Sequence, residues 1–239
     1  MHDRGIAPDR VTVHLTHPSP NHGTRRDGLI PSLIVIHYTA MATAEEALDR
    51  LCDPATEVSS HYLIDEAGRI CRLIPETRRA WHAGAGRWGS LSDVNSASVG
   101  IELANDGTCP FPPEQMAALV ALLAEIRGRW NIPPKGVIGH SDMAPGRKTD
   151  PGALFDWQSL AEDGQAVWPE THETLRGTDD LWGDLARFGY PLEVGMDAVL
   201  DAFRLRFRPG VTGPADETDR AIAADLARRF PVDPPRRDA

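Results

Sequence analysis

Two short apolar runs in this chain end on a histidine: SLIVIHYTA at 32–40 and KGVIGH at 135–140. Apolar residues at successive rather than alternate positions mark strands buried on both faces, as in a sheet covered by helices. Each run therefore delivers a histidine, His37 or His140, to the C-terminal end of a buried strand. SVGIELAN at 98–105 is a third such run, with one acid, Glu102, among apolar neighbours. HYLIDEAGRICRLI at 61–74 holds two β-rich halves around Glu66-Ala67-Gly68-Arg69, which reads as a hairpin.

Helices are expected between these strands. Thr43 and Glu46 form a capping box ahead of Ala44, Ala47, Leu48 and Leu51. PEQMAALVALLAEIRGRW at 113–130 spaces Met116, Leu119, Val120, Leu123, Ile126 and Trp130 by three and four, an amphipathic helix with prolines at its start. Strands alternating with helices define an α/β fold. The polar stretch EDGQAVWPETHETLRG reads as a connection to three further helical stripes. These are Leu181, Trp182, Leu185 and Phe188 behind a Thr178 cap; Met196, Val199, Leu200, Phe203 and Phe207; and Ile222, Leu226 and Phe230. With 239 residues, two unequal domains are expected, 1–172 and 173–239, the second too small to be more than marginally stable alone. The tail PVDPPRRDA is expected to fray.

Composition excludes several partners. A net charge of −10 gives no basic face for nucleic acid and none for an anionic membrane. No apolar run approaches the ~18 residues of a spanning helix, and the first residues carry no apolar export segment, so the expected location is cytoplasmic. Cys52, Cys71 and Cys109, odd in number and widely spaced, read as free thiols.

The chemistry concentrates in GHSDMAPGRKTDPG at 139–152. His37, His140 and Asp150 make a set of two imidazoles and one carboxylate. Zinc takes three ligands of this kind in catalytic sites and keeps a fourth position for water, whose proton it loosens. Amide hydrolysis by such water needs a base and a cation for the developing oxyanion. Glu102, with its pKa raised by apolar neighbours, and Lys148, two residues before Asp150, suit these roles. Spacing alone leaves alternatives open. A histidine at a strand end is often satisfied by ordinary hydrogen bonds, no H-E-x-x-H or C-x-x-C is present, and Asp142 competes with Asp150 as the acidic ligand.

The segments VIHYTA, SSHYLIDEAGRICRLI, RRAWHAGAG, NSASVGIEL and GHSDMAPGRKTDPGALFDW, in that order over roughly residues 30 to 160, resemble the zinc-dependent N-acetylmuramoyl-L-alanine amidases of bacteria, type 2. The resemblance implies a mixed central sheet flanked by helices. It also implies cleavage of the amide between the lactyl group of N-acetylmuramic acid, or its 1,6-anhydro form, and L-alanine of the stem peptide. Carried over position by position, His37, His140 and Asp150 would bind zinc, Glu102 would be the base and Lys148 the oxyanion stabiliser. His61, Trp81, His82, Asn95 and Arg147 would contact a peptidoglycan or muropeptide substrate. Some phage members place a catalytic tyrosine where this chain has Ser60, which is why proton transfer falls to Glu102. The C-terminal helices resemble a peptidoglycan-binding module; a plain helical cap is the alternative. Such a module points to the cell envelope rather than the cytoplasm. A monomer is expected. Non-catalytic recognition proteins of the same fold, which lack part of the metal triad, are the rival reading.

Overall fold

Residues 13–170 and 180–233 are described in the computed structural model of the chain. The expected domain boundary at 172/173 and the expected cap Thr178 lie outside the described residues. The three apolar runs form three adjacent strands at one side of a six-stranded sheet. β3 (Leu33–Tyr38) pairs in parallel with β7 (Ser98–Leu103) on one side and with β8 (Val137–Gly139) on the other. β4 (Tyr62–Ile64) continues the sheet in parallel beyond β7, and β5 (Ile70–Arg72) folds back antiparallel on β4 as the expected hairpin. β1 (Val13–Thr16) closes that edge in parallel with β5, giving the order β1-β5-β4-β7-β3-β8. The sheet is mixed, as the family resemblance implied. β2 (His22–Thr24) and β6 (Arg78–Ala80), not anticipated from sequence, form a separate antiparallel pair.

The hairpin turn has a local cause. Asp65 Oδ1 accepts from the amides of Ala67 and Arg69, and Gly68 takes a left-handed φ of 76°. A side chain at Gly68 would also drive a Cβ to 2.5 Å from the carbonyl oxygen of Glu114, so glycine is required twice over.

Because side chains alternate along a strand, β3 sends Ile34 and Ile36 to one face and Leu33 and Val35 to the other. Ile34 and Ile36 join Val99, Ile101 and Leu103 against Leu119, Leu122, Leu123 and Ile126 of α3 (Pro113–Trp130). α1 (Ala44–Cys52) has the expected Thr43 cap, which accepts from the Glu46 amide. It packs Ala47 and Leu51 on Leu63, Cys71 and Leu73. Leu33, Val35 and Ile138 meet the C-terminal helices α6 (Leu181–Phe188), α7 (Met196–Phe207) and α8 (Glu217–Arg229). Leu185, Phe188, Val199, Phe203 and Leu226 share one continuous core with those strand residues. The second helical unit thus covers a face of the six-stranded sheet directly. Three short helices, α2 (Val94–Ala97), α4 (His140–Met143) and α5 (Trp157–Glu162), lie next to the strand ends or beneath the sheet. None of the described helices is long and apolar enough to cross a membrane.

Three local expectations change. The cap of α6 is Asp180, whose carboxylate accepts from the Gly183 amide. The first tail residues are held: the Val232 amide donates to Arg187 and Pro231 accepts from Lys135 Nζ. α3 is rotated from the expected stripe, burying Gln115 and Leu122 while Met116, Val120 and Trp130 are only partly covered. Gln115 goes inside because its amide Nε2 donates to the carbonyls of Ile64 and Ala104, where β4 and β7 end. Replacing Gln115 with leucine leaves those buried acceptors short of a donor. It should lower unfolding free energy by about 1–3 kcal/mol, read from denaturant midpoints at unchanged slope.

Candidate metal centre and active site

Strand register brings the two histidines together. Ile36 faces Gly139 across the β3–β8 ladder, so the next residues, His37 and His140, emerge side by side. On the other side of β3, His37 is paired with Glu102 of β7. A histidine, a histidine and an acid therefore stand along the C-terminal edge of three adjacent parallel strands, where open α/β sheets place their ligands. The loop after α4 returns Asp150 to the same point, held by the Ser141 amide donating to its carbonyl oxygen.

His37 Nδ1, His140 Nδ1 and Asp150 Oδ2 lie 2.9, 2.9 and 3.0 Å apart. All three residues are buried. Donors of a four-coordinate ion with bonds of about 2.0–2.2 Å sit about 3.3 Å apart, so the spacing fits.

Hydrogen-bond directions make the fit chemical as well as geometric. His140 Nε2 lies 2.9 Å from the carbonyl oxygen of Ala83, which can only accept, and 3.3 Å from Arg147 Nη2, which can only donate; the shorter contact places the ring proton on Nε2 and turns Nδ1 towards the triad as an acceptor. A longer relay fixes His37. The Ser98 hydroxyl donates to Val94 O at 2.5 Å, which leaves Ser98 Oγ to accept from His82 Nε2 at 3.1 Å. His82 Nδ1 is then the acceptor facing His37 Nε2 at 3.0 Å, and His37 in turn is bare at Nδ1. Burial, then repulsion from His140, pulls His37 down to about 4, so it is neutral near pH 7. Burial and the neighbouring His37 hold His82 well below its usual range. Three acceptor atoms thus converge with no proton between them, an arrangement relieved by a cation.

Glu102 stands beside this triad. Its Oε2 is buried without a hydrogen-bond partner in the described structure. Burial raises its carboxyl well above the ordinary range, Asp150 adding to the rise and Lys148 opposing it. Lys148 is exposed at the rim. A cleft of about 430 Å³ lined by Tyr38, Met41, Trp81 and Lys148 opens onto the triad. A second, of about 500 Å³, runs past Arg26, Arg79, Asn95 and Arg147.

The remaining candidates divide. Trp81 and Arg147 line both clefts; Arg147 also donates to the carbonyl of Ala83 at 2.7 Å. Asn95 lines the second cleft, but its Oδ1 accepts from the amides of His82 and Ala83 and so fixes the segment that carries them. His82 borders both clefts, yet both its ring nitrogens are engaged within the protein, so its place is behind His37. Room for its ring comes from Gly100, where a Cβ would lie 2.5 Å from His82 Cγ. His61 corrects the expectation of a substrate contact. It is fully buried, its Nδ1 accepts from the Gly100 amide and its Nε2 lies 3.0 Å from Arg78 O. Ser60 is also fully buried, its hydroxyl donating to Tyr62 O. Asp142 is not a fourth candidate at the triad; its oxygens accept from Gly139, Tyr190 and Arg206.

The sequence pattern of the N-acetylmuramoyl-L-alanine amidase family matches residues 27–153. The chain is 38% identical to N-acetylmuramoyl-L-alanine amidase AmiD of Escherichia coli over 234 residues, 84% of each protein. It is 34% identical to 1,6-anhydro-N-acetylmuramyl-L-alanine amidase AmpD of Enterobacter cloacae, over 59% of this chain and 84% of that one. A solved complex of E. coli AmiD with the substrate anhydro-N-acetylmuramic acid-L-Ala-D-gamma-Glu-L-Lys superposes with a TM-score of 0.76 at 36% identity. That match covers 85% of this chain and 92% of that one. Fold, site and sequence together make this chain a member of the N-acetylmuramoyl-L-alanine amidase family.

Two outcomes test the hydrogen-bond reading. His82→Ala should weaken binding of a divalent metal ion at the triad about 10- to 100-fold in a chelator competition, and His82→Gln, whose carbonyl can accept from His37 Nε2, should recover part of it; equal affinity in all three proteins removes the relay. His61, pulled to about 4 by burial, is below its unfolded value of about 6.5. On acidification the unfolded chain takes up the proton first, so this share of stability is whole above pH ~6.5 and is lost towards pH ~4, up to about 3 kcal/mol. Denaturant unfolding of His61→Asn should show a shallower decline over that window than wild type.

Proposed function

We propose that this amidase is zinc-dependent and hydrolyses the amide between the lactyl group of N-acetylmuramic acid, or its 1,6-anhydro form, and L-alanine of the stem peptide. The observation that carries the metal dependence is the convergence of three proton-free acceptors, His37 Nδ1, His140 Nδ1 and Asp150 Oδ2, within 3.0 Å. Zinc bound there supplies Lewis-acid activation of water and of the scissile carbonyl.

The chain's own groups do the rest. Glu102 Oε2, lacking a partner and raised in pKa, takes a proton from the attacking water and returns it to the departing amine of L-alanine. A base poised nearer to neutrality than an ordinary glutamate can carry out both transfers. Lys148, at the mouth of the cleft, faces the oxygen that gains charge in the tetrahedral state. Trp81 and Arg147 lie along the two clefts, which suit a substrate with a sugar arm and a peptide arm. All seven residues of this reading come from one chain, so a monomer suffices. AmiD in the superposed complex carries the substrate anhydro-N-acetylmuramic acid-L-Ala-D-gamma-Glu-L-Lys, and the same substrate class is proposed here.

Metal analysis followed by an amidase assay with and without chelator tests the proposal. Glu102→Ala should bind zinc normally and lose about 10²–10⁴ in turnover, whereas Asp150→Ala should lose both metal and turnover. Full activity in the stripped protein or in Asp150→Ala contradicts the metal reading. Loss of zinc in Glu102→Ala would make Glu102 a ligand instead of the base.

A further inference from the structure

α4 is a single turn, yet both loop-borne metal-site residues hang from it. His140 is its first residue, and the Ser141 amide holds the Asp150 carbonyl oxygen at 2.9 Å. What fixes that turn is Asp142. Its Oδ2 accepts from the Gly139 amide at 2.8 Å, directly before His140. The same carboxylate is gripped from the far side by the C-terminal unit: Arg206 Nη1 of α7 lies 2.6 Å from Oδ2, and the Tyr190 hydroxyl donates to Oδ1 at 2.7 Å.

Every member of this cluster is buried. The side chains of Arg206 and Asp142 are 1% and 0% exposed, and Tyr190 is 3% exposed. The Arg206 guanidinium lies 4.0 Å over the Trp157 ring, and its Nη2 reaches Val137 O of β8 at 3.4 Å. A charge pair in such a place is weak evidence for net stability, since apolar replacements often match it. Its geometry is another matter: a carboxylate held by three donors across both oxygens cannot rotate without breaking contacts to a buried charge.

We infer that Arg206 and Tyr190 are positioning residues of the metal site, acting through Asp142 on the turn that carries His140 and anchors Asp150. The C-terminal helical unit is, on this account, a working part of the catalytic centre as well as a cover for the sheet. The inference rests on the proposed zinc triad, and its test separates the two.

Zinc affinity, thermal melting and steady-state kinetics are measured on the full chain carrying Arg206→Met, Arg206→Met with Asp142→Asn, or Tyr190→Phe. Arg206→Met keeps the aliphatic stem and strands the carboxylate. It should weaken zinc by about tenfold or more and lower kcat with little change in KM. In the double variant the side-chain amide oxygen at position 142 is uncharged and can still accept from the Gly139 amide, so most of the zinc affinity should return. Tyr190→Phe removes one donor while keeping the ring, and should weaken zinc severalfold in a protein that still melts cooperatively. A merely structural role predicts lower melting temperatures with wild-type zinc affinity in the folded variants, and that result overturns the inference. If Arg206→Met does not fold, wild-type affinity in Tyr190→Phe overturns it equally. Wild-type protein that binds no zinc fails the triad itself and takes this inference with it.

Discussion

Two imidazole nitrogens and a carboxylate oxygen do not turn towards one another as acceptors without compensation. At about 3 Å their lone pairs repel, and burial removes the water that would screen them. In this protein the arrangement is imposed from outside the triad. Backbone register sets the histidines side by side, the Ala83 carbonyl takes one ring proton, and the Val94–Ser98–His82 chain directs the other away. The interior is thus organised around a positive charge that the protein itself does not supply.

The same logic governs what surrounds the triad. The Glu102 carboxyl is raised by burial and by the nearby Asp150 charge, so two carboxyl groups of the same chemical type acquire different properties from position alone. Asp142, only two residues from His140, is drawn the other way, into the Gly139, Tyr190 and Arg206 contacts. Two aspartates in one loop therefore divide the work: one faces the cation site, and the other ties the loop to α7. That tie, together with the apolar face shared by β3, β8 and the three C-terminal helices, joins the parts of the chain that sequence suggested treating as separate units.

Much of this was legible in the sequence where local rules decide. Continuous apolar runs gave the three adjacent parallel strands β7, β3 and β8, the Glu66–Arg69 stretch gave the hairpin, and Thr43 gave the α1 cap. The two candidate histidine ligands were readable because a strand ending in a polar residue must present it at the sheet edge; Asp150 was readable from the loop motif that follows. What escaped depends on non-local partners. Gln115 is polar at a helical position that periodicity assigns to solvent, and only the carbonyls ending two other strands draw it inward. His61 and His82 look alike as motif histidines, yet one is locked by backbone groups and the other serves His37. Gly100, needed for the His82 ring to approach β7, was the one available signal. Arg206 and Tyr190 sit in or beside helical stripes far from the motif, and nothing local distinguishes them from surface residues.

The central claim is that two imidazole nitrogens and one carboxylate oxygen hold a zinc ion. X-ray absorption at the zinc edge of the loaded protein tests it most directly. The account predicts a four-coordinate shell of nitrogen and oxygen at about 2.0–2.1 Å, with the outer-shell pattern of two imidazoles and no sulfur. A sulfur scatterer, or a shell with fewer than two imidazoles, would contradict it.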